Sequence, residues 1–215
     1  IYLANYNELG VKEIINAAGT HTNLGGTLMD PEVLEAMKEA SKSFVDTREL
    51  MKKAGEYLSD LLKVEGAMVT AGAASALTIS TAACMAGSEN SKIAALPDTE
   101  GIPHEIIIMR CHRNPYDQAI RTAGANFVEI GNAIETHPWE LEAAINEKTA
   151  AVTFFVQSDM LEASISLEKV LEVSHKHDIP VIVDAAAELP PFKNIHKFIK
   201  MGADLVLFSG GKDIR

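Results

Sequence analysis

Short apolar runs alternate along this chain with longer stretches in which apolar side chains recur every three or four residues. Runs such as Ile106-Ile107-Ile108 lack the polar alternation of half-exposed strands, which is typical of strands buried on both faces of a parallel sheet. The pattern therefore predicts an α/β fold with three α/β/α layers and a mainly parallel sheet. The predicted strands cover residues 105–109, 126–130, 151–156, 179–183 and 205–208.

The first part of the chain predicts helices and one short strand. Asp30 followed by Pro31 has the form of an N-cap and a first helical residue, and apolar side chains follow at helical spacing as far as Phe44. Three further elements are expected: a helix over 47–63, a strand over 67–69 and a small-residue helix over 73–86.

Composition narrows the function classes. The 215 residues suit one large domain, and 47% hydrophobic and 23% charged residues are ordinary for a globular protein. The net charge of −11 and the absence of a basic stripe argue against a nucleic-acid partner. No apolar run has membrane-spanning length, and the start of the chain lacks a signal-peptide pattern.

The two cysteines, Cys84 and Cys111, are too few for a disulfide framework and have no zinc-ligand spacing. We therefore expect a cytoplasmic protein without a metal site. The chain has no initiator Met and stops at Arg215, directly after a motif, so we expect it to be a fragment of a longer protein.

Polar or small residues follow each predicted strand at its carboxyl end, where open α/β sheets bind ligands. Together they predict a site at this edge of the sheet. The segments are Thr70-Ala71-Gly72-Ala73-Ala74-Ser75, Arg110-Cys111-His112-Arg113, Gln157-Ser158-Asp159, Asp184-Ala185-Ala186 and Ser209-Gly210-Gly211-Lys212.

Each segment taken alone leaves alternatives open. The 70–75 turn either exposes backbone N–H groups to an anion or packs a helix tightly on the sheet. Asp184 is either solvated or holds a cation, and His112 is either functional or structural. Lys212 in its glycine turn suggests an anion or carbonyl site, but not a Walker A loop, since Asp213 follows it.

Segments 181–186 and 208–212 resemble the strand and the lysine turn that bind pyridoxal phosphate (PLP) in fold-type I enzymes, the aspartate-aminotransferase-like superfamily. The closer resemblance is to the selenocysteine synthase (seryl-tRNA selenium transferase)-like family, which includes D-glucosaminate-6-phosphate ammonia-lyase-like enzymes. Its motifs here are residues 15–20, 22–26, 70–74 and 209–215.

Three departures accompany this resemblance. Selenocysteine synthases carry Arg at the position of Gly26, and they have an N-terminal tRNA-binding region that we expect this protein not to have. We also expect the given sequence to stop before the family's small C-terminal domain. The resemblance therefore implies a segment over residues 1–45 that lines the active site and a PLP-binding large domain over 46–215.

The resemblance also implies roles for single residues. Lys212 would form the imine with PLP and then remove the substrate α-proton, while Asp184 would keep the pyridine nitrogen protonated. His112 would stack on one face of the PLP ring, and Ala186 would pack against the other face. The phosphate would be held by Gly72, Ala73 and Ser209, with Ala74 also in the cofactor site. The substrate side would be lined by Asn16, Thr20 and Asn23, while Arg110 and Arg113 either bind a substrate carboxylate or phosphate or are ordinary surface charges.

The activity that these roles favour is a PLP-dependent lyase acting on a small amino acid or amino-sugar acid, by α-proton removal and elimination or ammonia loss. An aminotransferase, a selenium transferase acting on seryl-tRNA and a non-catalytic binding module are the alternatives. The implied partners are a small amino-group substrate and a second copy of the chain in a homodimer.

Overall fold

The computed structural model describes residues 5–156 and 162–214 and has one five-stranded sheet. All four strand pairs are parallel, in the order β2-β1-β3-β4-β5. Helices cover both faces, so the predicted three-layer α/β/α fold is confirmed. The strands are β1 Glu105–Met109, β2 Asn126–Ile130, β3 Thr149–Phe155, β4 Val181–Asp184 and β5 Leu205–Leu207.

Eight α-helices and four short 3₁₀ or π turns lie within the described residues. The helices are α1 Pro31–Ala40, α2 Thr47–Leu62, α3 Ala73–Ala86, α4 Asn90–Ala95, α5 Gln118–Thr122, α6 Pro138–Ala144, α7 Leu167–His175 and α8 Asn194–Met201. The turns are Thr22–Leu24, Arg110–His112, Pro115–Asp117 and Gly210–Ile214. No helix in these ranges is long and apolar enough to cross a membrane.

The core has two halves, one on each face of the sheet. Successive side chains of β1 point to opposite faces, so Ile106 packs with Leu77 of α3 while Ile107 packs with Leu141 of α6. The side chains of all three isoleucines of β1 are fully buried. This explains the continuous apolar run, because a strand covered on both faces has no position left for a polar side chain.

The chain reverses its direction across the sheet at β1. The connection from β1 leads to β2 on one side, and the next strand in sequence, β3, pairs with β1 on the other side. Such a switch point creates a crevice beyond the carboxyl ends of the two strands. The sheet topology therefore supports the site that was predicted at this edge.

The predicted strand over residues 67–69 is wrong. These residues belong to no strand and pair with no other segment in the described ranges, and Met68 is 61% exposed. An apolar run becomes a strand only where a neighbouring backbone supplies hydrogen bonds, and a sequence pattern does not reveal that neighbour. Residues 157–159, predicted at the end of β3, lie outside the described residues.

Most other boundaries differ by one or two residues, and the end of α1 differs by four. Helix α1 ends at Ala40, although the apolar spacing continued to Phe44, and helix α2 ends at Leu62 because Lys63 adopts a left-handed conformation. Asp30 is the N-cap residue of α1, but its side chain makes no capping hydrogen bond. The helical stretches were therefore recognised from sequence more reliably than their ends.

Candidate active site at the carboxyl edge of the sheet

Asp184 is the last residue of β4, and its side chain is buried at the carboxyl edge of the sheet. The backbone N–H of Ala186 donates to Asp184 Oδ1 at 2.9 Å. Burial raises the pKa of Asp184 to about 6, although this N–H and the charge of Lys212 favour the ionised form. A buried carboxylate with so little compensation is suited to bind a cationic N–H group.

Lys212 lies in the turn that follows β5, the strand next to β4. Its backbone N–H donates to the carbonyl oxygen of Ser209 at 3.2 Å, so residues 209–212 form a closed turn. The side chain is partly buried, and its charge acts on the carboxylate of Asp184. Parallel pairing of β4 with β5 therefore brings the two predicted catalytic residues to one place.

The N-terminus of α3 points to the same edge of the sheet. Ala74 and Ser75 in its first turn line one surface pocket together with Pro115 and Tyr116, which follow the carboxyl end of β1. The first turn of α3 therefore lies at the carboxyl edge. Its free N–H groups and the helix dipole suit a phosphate there.

Gly72 precedes α3 with φ +116°, a conformation that side chains rarely adopt. The hydroxyl of Thr70 donates to the Gly72 carbonyl oxygen at 2.9 Å and fixes the turn. The glycine therefore determines how the chain enters α3 and directs the first N–H groups of that helix.

His112 lies in the turn after β1 and is 1% exposed. Its Nδ1 accepts a hydrogen bond from the backbone N–H of Phe155 at 3.3 Å, and its ring meets Phe154 edge-on, with the ring centroids 4.7 Å apart. Burial lowers the pKa of His112 to about 4. The imidazole is neutral at pH 7, and the predicted stacking face is covered in this structure.

The N-terminal segment reaches the lysine turn at a residue that sequence reasoning missed. The Thr27 backbone N–H donates to the Gly211 carbonyl oxygen at 3.1 Å, and the Thr27 hydroxyl donates to the carbonyl oxygens of Gly211 and Lys212. These contacts join positions about 185 residues apart in sequence. No local pattern could have linked them.

Gly26 is required by the same contact. A Cβ atom on Gly26 would lie 2.2 Å from the Gly211 carbonyl oxygen, and φ is +83°. Any side chain at this position would therefore force the two segments apart.

The predicted substrate residues of the N-terminal segment are not brought together with Asp184 by any contact in the described residues. Asn16 forms a local turn, in which its side chain bonds Gly19 and Ala18, and it is exposed. Asn23 is also exposed, and Thr20 is half-buried. These three remain predictions as substrate-binding residues.

The two predicted arginines differ in their surroundings. Arg110 is exposed beside the turn that carries His112. Arg113 pairs with the buried Asp117 at 2.5 Å and with Glu129 of β2, and it covers the ring of Phe127. Its guanidinium is engaged in holding the turn. Both arginines remain predictions as substrate-binding residues.

Replacing Asp184 with Asn should stabilise the cofactor-free protein at pH 8. The folded-state pKa of about 6 lies above the unfolded value of 3.8, so the ionised carboxylate destabilises the fold above pH 6 and no longer does so below pH 4. We expect a gain of about 1–3 kcal/mol at pH 8 that vanishes near pH 4. Urea denaturation at both pH values measures it.

Asp60→Asn, at an exposed position on α2, makes the same change in net charge and is the matched control. It should leave the free energy of unfolding nearly unchanged at either pH. The prediction would be contradicted if the Asp184→Asn variant had the same free energy of unfolding as the unmodified protein at pH 8, or a lower one.

Gly26→Ala should detach the N-terminal segment from the lysine turn, while Gly25→Ala should not. Both glycines have φ near +85°, so both substitutions carry the same backbone strain, but a Cβ on Gly25 meets no atom within 4 Å. Amide hydrogen exchange of Thr27 should accelerate in Gly26→Ala alone. Equal exchange in the two variants would rule out the contact with Gly211.

Comparison with known proteins agrees with this geometry. The profile of the family described as SelA, L-seryl-tRNA selenium transferase, matches residues 14–214. D-glucosaminate-6-phosphate ammonia lyase of Salmonella typhimurium (strain 14028s / SGSC 2262) is 34% identical over 212 residues, covering 96% of this chain and 56% of that protein. The 5'-C-glycyluridine monooxygenase-decarboxylase of a Streptomyces species is 32% identical over 96% of this chain and 53% of its own.

The chain thus spans about half the length of these curated relatives. The solved structure of D-glucosaminate-6-phosphate ammonia-lyase superposes with a TM-score of 0.89, covering 96% of this chain and 56% of that one. The structure of Oryza sativa TDC with PLP and tryptamine shares the fold alone, with a TM-score of 0.56 at 15% identity over 88% and 48% of the two chains. This chain belongs to the L-seryl-tRNA selenium transferase family, within the fold-type I PLP-dependent enzymes.

Proposed function

We propose that this chain is the PLP-binding part of a lyase that acts on a small amino acid or amino-sugar acid. The observation that carries the proposal is the buried Asp184 carboxylate, held beside Lys212 at the carboxyl edge of the sheet. The family and the 34% identical ammonia lyase support the same reaction class.

The residues at this edge fit PLP in charge and in hydrogen-bonding capacity. Asp184 offers a buried carboxylate to the pyridinium N–H, and the first turn of α3 offers free N–H groups to the phosphate. Lys212 Nζ would supply the amine that holds the cofactor aldehyde. Ala186 and Ser209 flank Asp184 and Lys212, so they belong to the proposed cofactor site as well.

PLP, when bound, withdraws electrons from the substrate α-carbon through its protonated ring. Asp184 would hold the proton on the ring nitrogen, since the positive charge of that nitrogen would stabilise its carboxylate. Lys212 Nζ would take the α-proton of the substrate. Thr27 holds the backbone of the lysine turn, which limits where Nζ can reach.

Reduction with borohydride after addition of PLP tests the cofactor site directly. In the full-length protein we expect the pyridoxyl adduct on Lys212, located by mass spectrometry, because this lysine lies beside the buried carboxylate. Lys212→Arg should lose the adduct, and Lys200→Arg, at an exposed position on α8, should keep it. An adduct elsewhere, or none, would refute the proposal.

The reaction class needs a separate assay. D-glucosaminate 6-phosphate, the substrate in the name of the relative, is the first candidate, and ammonia release without an amino acceptor is the expected result. Transfer of the amino group to pyruvate would identify an aminotransferase instead. Salt-sensitive tRNA binding would favour the selenium transferase, and PLP binding without turnover of any substrate would favour a non-catalytic module.

We also propose a homodimer, because the N-terminal helices present apolar side chains that nothing in the described chain covers. Helices α1 and α2 bury none of their residues, and Phe44 and Leu28 are almost fully exposed. Several exposed apolar side chains close together in sequence are typical of protein interfaces. Sedimentation of the full-length protein as a monomer at micromolar concentration would contradict this.

A cytoplasmic location is part of the same proposal. The two cysteines are both free thiols, and Cys111 is buried. Reduced thiols are the ordinary state in the cytoplasm. Fractionation of the cells that make the protein tests this.

A further inference from the structure

The ladder between β1 and β3 ends before β3 does. The last paired residues are Ile108 and Thr153, and the chain turns away from the sheet at Arg110. Phe155, two residues beyond Thr153, points its N–H toward the space that β1 has left. A buried backbone N–H without an acceptor is costly, so this group needs a partner.

His112 supplies that partner from its side chain. Its Nδ1 lies 3.3 Å from the Phe155 nitrogen, so the imidazole takes the place of the backbone acceptor that β1 no longer provides. The Asn114 side chain donates to the His112 carbonyl oxygen at 2.9 Å and fixes the backbone of the turn. The ring packs edge-on against Phe154, which fixes its orientation.

This contact determines the tautomer of His112. A backbone N–H can only donate, so Nδ1 must present its lone pair and the single proton of the neutral ring is on Nε2. Burial keeps the ring neutral, since it lowers the pKa of His112 to about 4.

The same contact lies next to Asp184. Phe155 is the register partner of Asp184 on β4, and the backbone N–H of Val156 donates to the Asp184 carbonyl oxygen at 2.9 Å. The end of β3 is therefore held by His112 on one side and supports Asp184 on the other. Movement of Phe155 would be transmitted to the strand that carries the carboxylate.

We propose that His112 is a positioning residue, which through Nδ1 holds the end of β3 and thereby fixes Asp184 at the cofactor site. This role is distinct from contact between its ring face and a cofactor. The effect of His112 on cofactor binding rests on the proposed PLP site. The tautomer of His112 and its hydrogen bond with Phe155 are properties of the chain itself.

Two substitutions separate the acceptor from the ring. His112→Asn keeps an acceptor oxygen at the position of Nδ1 and removes the ring, while His112→Phe keeps a ring and removes the acceptor. Without PLP, exchange of the Phe155 amide should accelerate about tenfold or more in His112→Phe and by less than about threefold in His112→Asn, since one hydrogen bond is at stake.

With PLP, His112→Phe should bind about tenfold more weakly than the unmodified protein, although its ring is preserved. Normal exchange of Phe155 together with normal PLP affinity in His112→Phe would overturn the proposal. Faster exchange of the Phe155 amide in His112→Phe with unchanged PLP affinity would also overturn it. That result would show that His112 holds the end of β3 without affecting the cofactor site.

The ¹⁵N chemical shifts of His112 in the unmodified protein provide a measurement that does not depend on the folding of a variant. Nitrogen Nδ1 should have the shift of an unprotonated ring nitrogen and Nε2 that of a protonated one. A proton on Nδ1 would overturn the proposal. Failure of PLP to attach at Lys212 would refute the proposed function instead, and the ¹⁵N and exchange data would still decide the hydrogen bond.

Discussion

The burial of Asp184 at the end of β4 is the constraint on which the rest of this site depends. An ionised carboxylate with little hydrogen bonding is costly in a protein interior, and its raised pKa reflects that cost. Lys212 on the neighbouring segment reduces the cost. The fold thus keeps the Asp184 carboxylate at a place where its charge is costly without a ligand. The same charge becomes favourable when a cationic group binds there.

Several long-range contacts hold this position. Thr27 binds the backbone of the lysine turn from the N-terminal segment, and His112 holds the end of β3 beside Asp184. Both act on backbone groups near the site. This agrees with the general observation that precise sites need support from outside the residues that perform the chemistry.

Most of the fold could be predicted from the sequence. The five strands of the sheet and the helix over residues 73–86 follow from apolar runs and helical spacing, because burial on both faces requires such patterns. The strand over 67–69 failed, since a three-residue run does not indicate whether a neighbouring strand exists. Asp184 and Lys212 were predicted as site residues because strand ends are where α/β proteins place ligands, and the structure brings the two residues close together.

The sequence by itself determined the class of fold, and it predicted a site at the carboxyl edge of the sheet. It did not determine that Gly26 and Thr27 meet Gly211, that Arg113 is engaged by Asp117, or that His112 is buried with Nδ1 as an acceptor. These depend on contacts between distant segments. Only tertiary packing decides them, because hydrogen-bond partners far apart in the chain leave no periodic signal in it.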